Sequence, residues 1–413
     1  MNLYIISEAN RATDYGLGTY IRELTESLKD SDINVCVIHL RSDKPKNESQ
    51  HSDSIEHLHI PPPINLNISK ESDNQRELYY RNIAYLLQLH IKDTEKPVFH
   101  LNKTQGNLAA ILRETFVCTI ITTIHYLEWC FYLSGNTSQF KQILAIQETE
   151  RMNDLQKLTT ASFQREKECF QTADRIICLS EHTRQILQAD YSIKPDKITV
   201  LCNGLTDNIP VVKRLVLRQK YYLSNSPVIL FAGRLDNLKG LTYALRAFKT
   251  VLNTHPHCRF LIAGNGAFDV FMQECEDIWM HVTWTGLINR AKLYELYIIA
   301  DIGIMPSFTE QCSYVAIEMM MHGLPIIGSA TAGLKEMIED GETGLHIPVV
   351  EYDANVEIDT SVLAEKMLYL LQNPKERKRL GANARRRYET VYSTEIFREN
   401  MTRFYHSLSG HKK

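Results

Sequence analysis

At 413 residues the chain is too long for one compact core, which sets a default of two domains of roughly 200 residues each. A composition of 44% hydrophobic and 23% charged residues is that of an ordinary globular protein, and a formal net charge of -3 provides no basic field for nucleic acid or an anionic membrane. Nine cysteines without one Cys-x-x-Cys pair imply buried thiols in a reducing cytoplasm instead of a disulfide framework or zinc site, and no run of about 18 apolar residues is present to span a bilayer.

The predicted elements alternate from the start. "NLYIIS" (2–7) reads as a strand and lacks the charged n-region and long apolar run of a signal peptide. "TYIRELTESLKD" (19–30) places Tyr20, Leu24 and Leu28 on one helical face, and "INVCVIHL" (33–40) is the next strand. Polar residues 41–54 read as a loop, followed by "IEHLHI" (55–60) and a Pro61-Pro62-Pro63 stop. A helix over 75–92, strands at 98–101 and 118–125 around a helix at 107–116, and one long helix over about 139–171 continue the series. A strand at 175–180, a helix capped by Ser180 and a strand at 198–204 close the first half.

Residues 205–225 break the rhythm and read as a linker. Strands then follow at 228–233, 259–264, 281–286 and 301–307, with helices at 240–255, 267–277 and 290–299. "SYVAIEMMMHG" is a helix, "PIIGS" a strand, and the last 50 residues read as helical. Repeated β-α alternation means parallel sheets covered by helices, so two such runs predict two doubly wound domains facing a cleft. In such sheets ligands lie beyond the carboxyl ends of the strands, which is where chemistry is expected.

Several strand ends carry suitable residues. Gly16 and Gly18 open the first helix, where free backbone N–H groups suit an anion, although a plain strand-helix turn explains them equally well. Arg234 and Lys239 flank the loop "FAGRLDNLKGL" and suit a diphosphate, with solvated surface cations as the alternative. His125 ends a strand in "ITTIHYLEW". Gly264, Gly266 and the "TGL" turn ending at Leu287 are glycine-opened turns that together suit a backbone-lined nucleotide pocket. In "FTEQCSYVAIEMMMHGLPIIGS" (308–329), Glu310 and Glu318 stand eight positions apart. Two carboxylates there can accept hydrogen bonds from two polyols of one extended ligand; the alternative is a helix cap and a salt-bridge partner. Glu318 lies in an apolar run, where an unpaired carboxylate is costly.

These stretches, with "YGLGTYIREL", "TTIHY", "LIAGNG", "WTGLI" and "EDGETGLHIP", resemble glycosyltransferase family 4, the retaining enzymes of the GT-B fold. The pieces run from residue 15 to 348. The resemblance implies two Rossmann-like domains, an acceptor-side domain at 1–205 and a donor-binding domain at 206–393, with a last helix at about 394–408 crossing back. It implies a nucleotide-diphosphate sugar, UDP- or GDP-linked, as donor substrate, and transfer to an acceptor hydroxyl without a metal or other cofactor. Arg234 and Lys239 would bind the diphosphate, Glu310 the transferred sugar, Glu318 the ribose, and His125 the sugar near the reacting carbon. Gly16 and Gly18 would close over the phosphates. The family's small residues after the first glutamate are here Gln311, Cys312 and Ser313, followed by Tyr314, and this departure leaves the donated sugar open. A GT-B epimerase or hydrolase of nucleotide sugars, or a non-catalytic sugar-nucleotide-binding subunit, are the alternatives. No nucleic acid is expected as a partner, and membrane association is expected to be at most peripheral.

Overall fold

The computed structural model describes residues 1–8, 16–52, 55–63, 72–92, 95–223 and 225–408. The chain forms two compact units. The first comprises residues 1–128, 156–204 and the segment from Thr394 onward; the second comprises 129–155 and 205–393.

The first unit is built on β1 (Asn2–Glu8), β2 (Asn34–Leu40), β3 (Glu48–Ser52), β4 (Ile55–Ile60), β5 (Val98–Leu101), β6 (Thr119–Ile124), β7 (Arg175–Cys178) and β8 (Ile198–Val200), in the order β3-β4-β2-β1-β5-β6-β7-β8. All pairings are parallel except β3 with β4. Leu3, Tyr4, Ile5 and Ile6 are all buried, as a strand covered on both faces requires. Tyr4, Ile6, Cys36 and Ile38 pack with Tyr79, Ile83 and Leu87 of the helix Asp73–His90 and with Leu108 and Leu112 of the helix Gly106–Thr115. On the other face His100 meets Tyr20 of the helix Gly16–Leu28 and Tyr405 of the helix Thr394–Leu408.

The second unit holds β9 (Val228–Ala232), β10 (Arg259–Ala263), β11 (Val282–Gly286), β12 (Ile302–Met305), β13 (Ile326–Ser329) and β14 (Gly344–Ile347), all parallel, in the order β11-β10-β9-β12-β13-β14. Phe231, Leu241, Leu245, Phe248, Phe260, Ile262 and Ile304 belong to its core. The expected doubly wound α/β class is therefore present in both units. The strand order reverses between β1 and β5 and between β9 and β12, and crevices at such reversals are where ligands bind.

Three local expectations are corrected and one element is added. The loop at 41–54 contains β3, a polar strand pairing antiparallel with β4; edge strands carry polar side chains and so show no apolar alternation. The long helix at 139–171 is broken into Thr137–Leu144, a short turn at Thr149–Arg151 and Asp154–Thr172, because the chain passes from one unit to the other at 155–156. The linker at 205–225 contains the helix Arg214–Lys220, fixed by Arg218 on the Ile299 and Leu223 carbonyls. The described part of the last 50 residues is helical as expected, but just before it stands a hairpin of β15 (Val349–Glu351) and β16 (Val356–Ile358) that no sequence pattern marks.

Residues 129–155, which a single boundary at 205 would give to the first domain, pack with the second. Asn136 Nδ2 donates to the Tyr352 carbonyl at 2.7 Å, and Ser138 Oγ donates to Glu351 at 2.7 Å. Gly135 sits so close to Phe308 that an added Cβ would lie 3.1 Å from its carbonyl oxygen.

Candidate functional site

In the second unit, β9 runs into Gly233 and Arg234, a short turn at Asn237–Lys239, and the helix Leu241–Thr254. Gly240 joins turn to helix at φ +65°, and a Cβ there would lie 1.9 Å from the Pro306 carbonyl oxygen. Only glycine permits that approach. It brings the loop after β9 against the loop after β12, where Phe308 N–H donates to the Leu238 carbonyl at 2.9 Å.

Lys239 and Glu310 consequently meet. Lys239 Nζ lies 2.5 Å from Glu310 Oε1, which also accepts from Ser307 Oγ at 3.2 Å. Arg234 pairs with Asp236 at 3.1 Å. Two cations and their carboxylates thus stand at the carboxyl edge of the sheet, next to the reversal between β9 and β12. Glu318 lies on the buried helix Tyr314–Met321 and is itself buried. The partner it needs is Tyr297, whose hydroxyl donates to Oε2 at 2.8 Å, with Arg290 3.8 Å from Oε1. Burial, and then the Glu318 charge, push the Tyr297 phenol well above its ordinary range.

Gly264 and Gly266 have a packing reason for being glycine. A Cβ on Gly264 would lie 1.7 Å from the Gly233 carbonyl oxygen, and one on Gly266 would lie 2.2 Å from that of Leu235. Backbone bonds Gly233 N–Ala263 O, Leu235 N–Asn265 O and Gly264 N–Gly286 O lock the turns after β9, β10 and β11 together. Leu287, at the end of that set, is 67% exposed. Gln311, Cys312 and Ser313 are buried and Tyr314 is half-buried. The Ser313 N–H is directed at the Met337 sulfur at 3.2 Å.

The first unit carries the other candidates. Gly16 and Gly18 begin the helix Gly16–Leu28; the turn preceding them lies outside the described residues. His125 follows β6, with Nε2 3.2 Å from Asn102 Oδ1 and its ring edge-on to Tyr20 at 4.6 Å. Tyr20 OH is 3.3 Å from Thr123 Oγ1, which lies 2.6 Å from His100 Nε2, and His100 Nδ1 is 2.7 Å from Tyr405 OH. A buried hydrogen-bonded chain thus runs from the last helix to Tyr20, whose ring meets His125.

Burial holds both His100 and His125 down to about 3, far below the ~6.5 of a free imidazole. The unfolded chain therefore binds protons that the folded chain refuses. The stabilisation is complete above ~6.5 and declines as pH falls from there toward 3. His100→Gln removes one such group. Its urea midpoint should consequently fall less steeply than the wild-type midpoint between pH 7 and 4; parallel slopes would mean that His100 titrates normally.

Sequence reasoning missed Glu8, Arg41, Lys103 and Gln105. Glu8, the last residue of β1, is buried, with Arg41 Nε at 2.6 Å, Gln105 Nε2 at 2.8 Å and Lys103 Nζ at 3.5 Å. Burial raises its carboxyl, but Lys103 and Arg41 outweigh this and hold it below the usual range. Arg41 adopts φ +54°. The positions after β1, β2 and β5 were available from the strand-end rule, but nothing local in the sequence links them. Ser307, Tyr297 and Gly333 were likewise missed. Gly333 N–H donates to the Glu310 carbonyl at 2.8 Å.

Two family models match the chain in tandem: "Glycosyltransferase Family 4" over residues 15–208 and "Glycosyl transferases group 1" over 214–387. Among curated relatives, the alpha-D-kanosaminyltransferase of Streptomyces kanamyceticus is 22% identical over 59% of this chain and 63% of its own length. The D-inositol 3-phosphate glycosyltransferase of Corynebacterium glutamicum is 27% identical over 53% and 54%. The chain thus spans less than two thirds of the length of these relatives. Among solved structures, the sucrose-phosphate synthase of Thermosynechococcus elongatus aligns over 100% of both chains, with TM-score 0.77 and 21% identity. Anabaena Alr3699/HepE in complex with UDP-glucose aligns over 98% of this chain and 100% of its own, with TM-score 0.72 and 14% identity. These likenesses give the fold as GT-B.

Proposed function

The chain belongs to glycosyltransferase family 4, and from that premise we propose that it is a retaining glycosyltransferase moving a sugar from a nucleotide-diphosphate sugar to an acceptor hydroxyl. The observation that carries this reading is the Lys239–Glu310 pair beside Arg234, at the strand-order reversal of the second unit. Departure of a nucleoside diphosphate develops negative charge, and fixed cations where that charge appears stabilise the transition state. Arg234 offers a planar fork and Lys239 a point charge. Glu310, the counter-ion of Lys239, accepts hydroxyls of the sugar once the diphosphate has taken the ammonium. Glu318 takes the ribose hydroxyls, held for this by Tyr297. Gly264, Gly266, Leu287 and residues 311–314 line the donor's surroundings.

In the first unit, His125 is neutral at physiological pH and serves as a hydrogen-bonding group beyond the end of β6. Gly16 and Gly18 open a helix whose N-terminal N–H groups suit an anion. The UDP-glucose complex of the Anabaena protein favours a uridine nucleotide over guanosine. Nine cysteines without a disulfide among the described residues suit a cytoplasmic enzyme. No helix among the described residues is long and apolar enough to cross a membrane.

A thermal-shift screen of nucleotide sugars identifies the donor, since a ligand that binds only the folded state raises its apparent stability. Glu318→Gln should then weaken calorimetric binding of the free nucleoside diphosphate roughly tenfold, the value of one hydrogen bond to a charged group. Transfer and binding should both persist in EDTA. Unchanged nucleotide affinity in the variant would remove Glu318 from the site. Abolition by EDTA with rescue by Mg²⁺ would overturn the metal-independent mechanism, and nucleotide-sugar turnover without any acceptor would replace transfer by hydrolysis or epimerisation.

A further inference from the structure

Asn102 follows β5 and is 2% exposed, so its side-chain amide has to find partners inside the protein. It finds two. Nδ2 donates to the Ile6 carbonyl at 3.4 Å, and Oδ1 lies 3.2 Å from His125 Nε2. The first contact fixes how the amide is turned. A backbone carbonyl can only accept, so the NH2 group faces Ile6 and the oxygen faces His125. The opposite orientation would set two oxygens against each other in a buried place.

An amide oxygen can also only accept, so His125 Nε2 carries a proton. The ring is neutral, because burial holds it at about 3. The titratable side chains around it among the described residues are His100, Lys103, Tyr20 and Tyr126, and no carboxylate recharges it. A neutral imidazole has a single N–H, and the hydrogen bond made at one nitrogen decides the state of the other. Nδ1 is therefore bare. It takes no hydrogen bond from another described residue, and His125 keeps part of its surface exposed. Both nitrogens of His100 are already taken, by Thr123 and Tyr405. Tyr20 packs edge-on against the His125 ring and is itself tied to Thr123, which opposes turning the ring over.

We propose that Asn102 is a positioning residue: it holds His125 as the Nε2–H tautomer, so that Nδ1 meets a substrate hydroxyl as a hydrogen-bond acceptor and never as a proton donor. This rests on the glycosyl-transfer reading, which brings substrate to His125, and extends it to the part the ring plays. A group that only accepts selects for a hydroxyl. An ether or a deoxy carbon at that place in the substrate leaves Nδ1 unpaired, which costs binding.

The test is a two-bond proton–nitrogen correlation spectrum of the protein carrying ring-labelled histidine, in which His125→Gln identifies the His125 signals. The wild type should show the proton on Nε2 and none on Nδ1 from pH 8 down to pH 5. Asn102→Leu should release the ring to exchange between tautomers. Asn102→Asp should keep the proton on Nε2 and move the ionisation of His125 up toward neutral pH, since a carboxylate favours the imidazolium; it reads the same contact should the leucine variant not fold. In steady-state kinetics Asn102→Leu should lower kcat about tenfold, the worth of one hydrogen bond to the substrate. The same substitution made in His125→Ala should cost nothing further in kcat, because the two residues act as one. A purely structural Asn102 would lower the melting temperature and add its cost in either background. A wild-type proton on Nδ1, an imidazolium at neutral pH, or a tautomer unchanged in Asn102→Leu overturns the proposal, as does a released tautomer with wild-type kcat. The spectrum needs no substrate, so the expected tautomer in a protein that transfers no sugar would count against the glycosyl-transfer reading alone.

Discussion

Replacing Glu310 by glutamine is expected to lower kcat by about 10²–10³-fold, the usual cost of removing one preorganised electrostatic group from a transition state. The carboxylate accepts from Lys239 at 2.5 Å and from Ser307 at 3.2 Å, and glutamine keeps its shape while removing its charge. Lys239 loses its counter-ion but keeps its place, because its turn is fixed by Gly240 against the Pro306 carbonyl. Free nucleoside diphosphate should therefore bind at least as tightly as before. Steady-state kinetics beside calorimetry separate the two effects, since a fall in kcat without loss of nucleotide affinity marks an interaction made in the transition state. If kcat and affinity both stay at wild-type values while the melting temperature drops, the Lys239–Glu310 pair is only a structural ion pair.

Gly333→Ala is expected to lower kcat by a comparable factor without touching any charged group. A Cβ at residue 333 would lie 1.7 Å from the Gln311 carbonyl oxygen and 2.6 Å from its carbon. Both atoms are backbone, so no flexible side chain can yield, and the loop bearing Glu310 has to move. A misplacement of about 1 Å costs roughly 10²-fold in rate, and overpacking of this kind destabilises by about 1–3 kcal/mol. Gly341→Ala is the control: φ is +73°, but nothing lies within 4 Å of the added Cβ. It should cost about 1–2 kcal/mol of backbone strain and leave kcat unchanged. Wild-type turnover in Gly333→Ala would place the sugar away from residues 307–313.

The sequence discloses those features that are local. Strands of the "VILFA" kind, followed by glycine and then a helix, reveal parallel β-α units, and strand ends bracket where Arg234, Lys239, Glu310 and His125 lie. The partners of those residues are another matter. Tyr297 reaches Glu318 from another helix, and Gly333 reaches the Glu310 loop from beyond β13. No periodicity encodes such pairs. Gly264 and Gly266 read as ligand-facing turns, whereas the backbone of a neighbouring turn already requires them. Glu8, Arg41 and Lys103 lie on three separate strand ends, and only the sheet order β2-β1-β5 makes them neighbours. Residues 129–155 carry the helical pattern of either unit. Their membership is decided by contacts with Glu351, Tyr352 and Phe308, more than 150 positions away in the chain.

The chain passes between its two units four times, at 128–129, 155–156, 204–205 and 393–394. Neither unit is therefore a contiguous cassette. A chimaera that exchanges residues 205–393 for those of a relative retains a host segment at 129–155 beneath a foreign hairpin. Asn136 and Ser138 would then face carbonyls and a carboxylate that the graft has no reason to supply. Recombination that moves donor preference from one enzyme to another should carry both segments together, so the heritable module here is a pair of distant stretches that one cut cannot excise.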